Sequence, residues 1–242
     1  MNLPNISILI PTYNRSKFIS FIIKNLKVQD YPHKNIQVVI DDDGDEPLIK
    51  NYNQFKNAIH PMKLKYIRTE NRVIGIPSVS IGFKRHRLIQ NANNNIVAFM
   101  DDDDLYEPTY ISHSYKTLID NKAGCVGCDK MIILYPPYTK DDFYGLDAGS
   151  KTLIHEATMM FYKKWYNKTK GFINSNKAEA LGVTKSCKLK TIALTCQYYT
   201  MTAIVHGNNT IEKDKFKNED NKLEDIIISS KITDFINEVC SA

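Results

Sequence analysis

An α/β fold with a mostly parallel central sheet flanked by helices is predicted by three observations. Short apolar runs recur at residues 7–10, 36–40, 64–67 and 96–100. Their content is near-continuous, as in strands buried on both faces. Segments with helical spacing separate them and supply the crossovers that parallel pairing needs.

The first run ends at Pro11. From Ser16, the residues Phe18, Ile22 and Leu26 recur every four positions with Ile19 and Ile23 beside them. That is one face of a helix, with Asn14 or Ser16 as candidate N-cap. Val79, Phe83, His86 and Ile89 form the stripe of a second helix before the run at 96–100. Tyr110, Ile111, Ser114, Tyr115 and Leu118 suggest a third. Residues 125–135 and 191–205 read as strands, and 136–152 as a long loop of the kind that often carries function. Leu223, Ile226, Ile227, Ile232, Phe235, Ile236 and Val239 have the spacing of one or two closing helices.

Composition narrows the function classes. Of 242 residues, 43% are hydrophobic and 24% charged, which suits a globular chain and excludes a disordered or fibrous one. The net charge of +5 is scattered, and its densest cluster (Lys163, Lys164, Lys168 and Lys170) reads as a solvated face. Nucleic acid is therefore not the expected partner. No transmembrane segment is expected, because no apolar run approaches the ~20 residues that cross a bilayer. The N-terminus lacks the pattern of a secretory signal. An odd count of five cysteines without that signal points to a reducing, cytoplasmic compartment. Cys125 and Cys128 form a C-x-x-C without a second ligand pair at zinc spacing, so they are expected to be packing residues.

Two acidic clusters follow predicted strands: Asp41, Asp42 and Asp43 before Gly44, and Asp101, Asp102, Asp103 and Asp104. Open α/β sheets bind ligands outside the carboxyl ends of their strands. Crowded carboxylates raise one another's pKa unless a cation or donor relieves them. In an extended segment Asp101 and Asp103 would share one side, with Asp102 and Asp104 on the other. Such a pair suits a hard divalent ion, Mn²⁺ or Mg²⁺, that keeps positions open for phosphates. Capping of the next helix accounts for Asp104 but not for four aspartates in a row.

Three motifs together, Ile-Leu-Ile-Pro-Thr-Tyr-Asn-Arg (8–15), Val-Val-Ile-Asp-Asp-Asp-Gly (38–44) and Phe-Met-Asp-Asp-Asp-Asp-Leu-Tyr-Glu-Pro (99–108), resemble successive signatures of the family 2 glycosyltransferases with the GT-A fold. The resemblance implies a Rossmann-like GT-A domain over 1–210, with a nucleotide-binding half (1–104), an acceptor-binding half (105–210) and a C-terminal helical extension over 211–242. It implies a metal-dependent inverting transfer from a nucleotide-diphospho-sugar to the hydroxyl of a glycan, protein or small-molecule acceptor. Pro11, Thr12 and Tyr13 would cradle the nucleotide, with Tyr13 against the base. Arg15, Arg85 and Asp102 would contact it. Asp42 would accept the imide N–H of a uracil or thymine ring, which favours a pyrimidine donor such as a UDP-sugar over a GDP-sugar. Asp41 is an extra acid beside this motif, and His86 stands where Asn is common.

The same resemblance implies Asp103 and Asp101 at the metal, with His206 joining them. It makes Glu179, in Lys-Ala-Glu-Ala-Leu (177–181), the general base, with Glu156 and Asp147 as competing carboxylates. The alternatives are a nucleotidyltransferase of related fold, whose glycine-rich basic loop this chain lacks, and a non-catalytic nucleotide-sugar-binding domain.

Overall fold

The computed structural model describes residues 3–70, 75, 76, 79–207, 209, 213–224, 226 and 230–241. The chain begins with strand β1 (Ile6–Thr12), helix α1 (Ile19–Val28), β2 (Ile36–Asp42), α2 (Tyr52–Ala58), β3 (Lys63–Arg68), α3 (Ile81–Asn91) and β4 (Ile96–Phe99). It continues through β5 (Leu105–Tyr106), α4 (Tyr110–Asp120), β6 (Cys125–Gly127), β7 (Lys130–Leu134), β8 (Phe143–Asp147) and β9 (Met160–Tyr162). Short helices α5 (Lys163–Tyr166) and α6 (Leu181–Thr184), strands β10 (Ile192–Leu194) and β11 (Met201–Ile204), and helix α7 (Ser230–Ser241) follow.

The main sheet has the order β10-β6-β9-β4-β1-β2-β3, and β9 alone among its described strands runs antiparallel to its neighbours. A second sheet, β5-β11-β7-β8, lies downstream. The mostly parallel α/β fold is therefore as expected. The main sheet draws strands from both sides of residue 104.

Both faces of the sheet are covered. Ile8, Ile10, Val38 and Ile40 pack with Ile22 and Leu26 of α1, while Leu9, Val39, Val97 and Phe99 pack with Leu88 and Ile89 of α3. The period-two alternation of strand side chains thus sends apolar groups both ways, which is why the runs read as continuous. Cys125 and Cys128 are buried free thiols in this interior. No helix among the described residues is long and apolar enough to cross a membrane.

Four local expectations are corrected. Helix α1 has no side-chain cap from Asn14 or Ser16; Asn14 adopts a left-handed backbone and exchanges hydrogen bonds with Asp45 instead. The supposed loop at 136–152 contains β8, whose ladder with β7 has Ile133 opposite Tyr144. Helix α3 turns Phe83 to solvent and buries Gly82, Lys84, Arg85, Leu88 and Ile89, because the acids it faces pull its cations inward. Finally, the closing helix holds Ile232, Phe235, Ile236 and Val239, whereas Leu223 and Ile226 precede it. Ile227 lies outside the described residues. Helix α7 packs Ile236 and Val239 against Phe18, Phe21, Ile132 and Leu134.

Candidate active site

At the carboxyl ends of β1 and β4 lies a cavity of about 480 Å³. Its walls are Pro11, Thr12, Tyr13, Asn14 and Arg15 after β1, Val79, Ile81, Lys84 and Arg85 around α3, and Asp101, Asp102 and Asp103 after β4, with Asn176 and Asn209 at its rim.

The first acidic cluster is sorted by strand geometry. Asp41 and Asp43 point to the α3 face, where Arg87 binds Asp41 through both oxygens and Lys84 pairs with Asp43. The Lys84 ammonium also donates to the Thr12 carbonyl (2.7 Å), tying α3 to the β1 end. Burial pushes the Asp41 carboxyl above its usual pKa, against the pull of Arg87.

Asp42 points the other way. It accepts from the backbone N–H groups of Gly44 (2.7 Å) and Leu48 (2.8 Å) and from the Tyr66 hydroxyl, and it pairs with Arg68 at 3.1 Å. These donors occupy its acceptor sites, and Asp42 is buried and does not line the cavity. A base contact at Asp42 would require Tyr66 or Arg68 to give way.

The second cluster is a bend rather than an extended segment, so the strict alternation expected for it does not hold. Asp101 takes two hydrogen bonds from Arg85 (3.1 and 3.3 Å). Asp102 and Asp103 both face Arg15, at 3.8 and 3.3 Å. Asp103 also meets His206 Nε2 at 3.0 Å. Asp104 turns inward, accepts from the Ile204 N–H (3.0 Å) and lies 3.9 Å from Lys213.

Neighbouring carboxyls are thereby driven apart. Burial, then the charge of Asp103, pushes Asp102 well above the usual range. Burial opposes ionisation of Asp103 as well, but the His206 hydrogen bond and the charges of Arg15 and Lys213 hold it low. Burial raises Asp104 to about 7. The Asp102 Oδ2 is buried without a hydrogen-bond partner.

Arg85 anchors a third group. Its Nε donates to Glu179 (3.0 Å) while its other nitrogens hold Asp101. Burial works against the guanidinium charge, but Asp101, Glu179 and Glu156 outweigh it and raise the pKa further. Glu179 is buried at 5% exposure and does not line the cavity, and burial lifts its carboxyl above the usual range despite Arg85. The contact depends on Gly82: a Cβ there would meet the Ile173 carbonyl oxygen at 1.9 Å. We predict that Gly82→Ala pushes α3 off the 173–179 segment, costs about 1–3 kcal/mol and lowers the thermal midpoint by several degrees. An unchanged melting curve would refute this.

The structure brings Pro11, Thr12, Tyr13, Arg15, Arg85, Asp101, Asp102 and Asp103 to one cavity, with His206 directly behind Asp103. Asp42 and Glu179 are not among the lining residues. Sequence reasoning missed Lys84, Asn176 and Asn209. The available signal for Lys84 was the spacing of Lys84, Arg85 and Arg87 on one helix, opposite two acidic strand ends.

The profile described as Glycosyl transferase family 2 matches residues 7–176. The chain belongs to that family. Proteins similar to it include the glycosyltransferase GlyA of Streptococcus pneumoniae, 26% identical over 119 residues, which are 49% of this chain and 16% of that protein. The poly(ribitol-phosphate) beta-N-acetylglucosaminyltransferase TarS of Staphylococcus aureus is 27% identical over 99 residues, 40% of this chain and 16% of TarS. The chain thus spans a small part of either relative. Among solved structures, S. aureus TarS 1–349 in complex with UDP-GlcNAc superposes with a TM-score of 0.66 at 17% identity, covering 88% of this chain and 63% of that one. The mannosyltransferase PcManGT of Pyrobaculum calidifontis, in complex with GDP-Man and Mn²⁺, gives 0.64 at 18% identity, with 86% and 59% covered. At these identities the likeness shows the shared GT-A fold.

Proposed function

We propose that this family 2 chain transfers a sugar from a nucleotide-diphospho-sugar, of the UDP class, to an acceptor hydroxyl with inversion, supported by Mn²⁺ or Mg²⁺. The observation that carries this reading is the cavity in which Arg15 and Lys84 stand among Asp101, Asp102 and Asp103, with one buried Asp102 oxygen unpartnered. Cations for phosphates and carboxylates for a metal meet there in one space. The TarS and PcManGT structures, solved with UDP-GlcNAc in one and GDP-Man and Mn²⁺ in the other, lend support.

Among the described residues no three His, Cys, Asp or Glu side chains are placed to hold a metal ion together. An open set suits a hard ion that takes one or two carboxylates and completes its shell with substrate phosphates. Asp103 and the unpartnered Asp102 Oδ2 are the carboxylates that would offer it ligands, with Asp101 and His206 as neighbours. Such an ion, when bound, neutralises charge on the departing diphosphate. Arg15 and Lys84 bind and orient the phosphates, and the Pro11–Thr12–Tyr13 backbone forms the floor under the nucleotide. Arg85, occupied by Asp101 and Glu179, keeps Asp101 in place. The five free thiols suit a reducing compartment such as the cytoplasm.

A second reading, binding without catalysis, draws on the withdrawal of Glu179 into its ion pair. A screen of UDP-, GDP- and CMP-sugars with Mn²⁺ separates the readings. UDP-sugars at a hundredfold excess over Kd are expected to stabilise the fold by roughly 2.7 kcal/mol and to be slowly hydrolysed. A GDP preference would overturn the UDP assignment, and stabilisation without turnover by any donor would favour the binding module.

A further inference from the structure

The positive charge, expected to be scattered, is concentrated in one stretch. Residues 157–210 hold eight lysines and a single acid, Glu179, which is buried in its pair with Arg85. That stretch alone carries more positive charge than the chain's net +5. The fold gathers part of it on one face. Lys164 and Lys168 line a cavity of about 490 Å³ together with Lys122 from the end of α4, over walls formed by Tyr162, Trp165 and Ile119. Lys188 and Lys190 flank it. The Trp165 Nε1–H donates to the Thr191 hydroxyl (2.8 Å), and the Gly124 N–H donates to the Thr191 carbonyl (2.9 Å). All five lysines are exposed. The described ion pairs of surface lysines take Lys50, Lys116 and Lys130 but none of these five.

The patch lies at the end of the main sheet remote from the candidate active site. Strands β4 and β6 run the same way, since β9 is antiparallel to both, and β10 is parallel to β6. Residues 122–124 and 188–191 therefore sit at the amino ends of the strands they precede. Residues 163–168 follow β9 at that same end, where the Lys163 N–H donates to the Asn95 carbonyl just before β4 (2.9 Å). Two aliphatic side chains stand exposed among the lysines, Ile119 at 44% and Leu189 at 43%. The rings are not displayed in the same way. Trp165 is buried in the space left by the missing Cβ of Gly124, which would meet its ring at 2.0 Å. Tyr162 lies under the Lys164 ammonium, 5.3 Å from the ring centroid.

We propose that this basic face docks the chain on the surface of a membrane that carries anionic lipid. Lysines on flexible stems are drawn to anionic headgroups, and each raises the partition onto the bilayer roughly fivefold. Apolar side chains among them enter the boundary between headgroups and acyl chains. Ile119 and Leu189 supply that second element, for which a dissolved anion has no use. A single-stranded nucleic acid calls instead for open rings on which bases stack, and here Trp165 is turned inside and Tyr162 is covered. Docked by the amino ends of its strands, the sheet keeps the cavity at the carboxyl ends facing the solvent. The proposal stands apart from the transferase reading: a chain that binds no nucleotide-sugar would still bind such a surface.

The test floats the full chain with vesicles of phosphatidylcholine alone, or of phosphatidylcholine with an equal part of phosphatidylglycerol. Binding to the mixed vesicles only is expected, and it should weaken as salt is raised. Lys164→Gln with Lys168→Gln should lower the partition roughly 25-fold, about fivefold for each lysine. Lys122→Gln with Lys190→Gln should do the same, which guards against a local fault in the first pair. Ile119→Ser with Leu189→Ser should also weaken binding, and all three variants should melt like the wild type because the replaced side chains are exposed. Equal binding to both vesicles, binding to neither, or undiminished binding by both lysine pairs overturns the proposal. So does a serine pair that binds as tightly as the wild type, or release from the mixed vesicles by millimolar inorganic phosphate at constant ionic strength. Either result would make the patch a site for a dissolved anion.

Discussion

Arg85→Ala is expected to unfold the chain at a temperature on the order of 10 °C lower than the wild type. Arg85 is 4% exposed and supplies three hydrogen bonds to two carboxylates, with a third carboxylate close by. Its guanidinium also lies over the Phe99 ring, 4.8 Å from the centroid. Removing one partner of a buried ion pair costs about 3–5 kcal/mol, because the other charge is stranded in a poor solvent. Here two are stranded, and they repel. Arg85→Lys is expected to recover little, since one ammonium cannot hold Asp101 through two bonds and Glu179 through another.

The pH dependence of the loss follows from the same charges. The Glu179 carboxyl is already raised by burial, and without the cation that now opposes this it is expected to rise further above its unfolded value. A group raised in this way contributes stability below its unfolded pKa and loses it as pH rises through the folded one. The deficit of Arg85→Ala should therefore be largest near neutral pH and shrink toward pH 4–5, where unfolded carboxylates also protonate. Thermal melts of both proteins across that range give the comparison. A deficit that grew on acidification would show that the acids are not what Arg85 serves.

The parallel core of the fold was legible because its signal is local: residues 7–10, 36–40 and 96–100 are too apolar to face water on either side. The second sheet was harder to read. Residues 143–147 of β8 carry Gly145 and Asp147, and their pairing with 130–134 is settled by a partner strand rather than by their own pattern. Helix α3 misled for a related reason. Periodicity assumes that the buried face is the apolar one, and here Lys84 and Arg85 are inside because acids from other strands wait for them. Within the candidate site, strand-end position was enough to single out Asp101, Asp102 and Asp103. The direction of each side chain depended on a bend that four aspartates in a row do not announce. The same holds for Glu179 and Glu156, one taken by the Arg85 guanidinium and the other by the Ala180 N–H.

Asp103→Asn should show the reverse of the Arg85 pattern, with the fold kept and the chemistry lost. Asparagine is nearly isosteric and can still hydrogen-bond His206, while Arg15 retains Asp102. One charge also leaves a crowded pair in which Asp103 helps to push Asp102 upward. The thermal midpoint is thus expected to move by no more than about 1 kcal/mol allows, roughly 2–4 °C. Activity answers to a different quantity. The surroundings of Asp103 hold it ionised, and an ionised carboxylate is what a hard cation needs. Its replacement should abolish the Mn²⁺-dependent part of donor stabilisation and lower turnover by at least on the order of 100-fold, the scale of losing one preorganised charge at a leaving group. Melting curves with Mn²⁺ alone, UDP alone and both together separate these effects. A variant that keeps the full cooperative shift with both would place the metal elsewhere. Sites that gather like charges for function commonly give up stability to do so. A midpoint equal to or above the wild type, together with lost turnover, is the signature expected of such a site at Asp103.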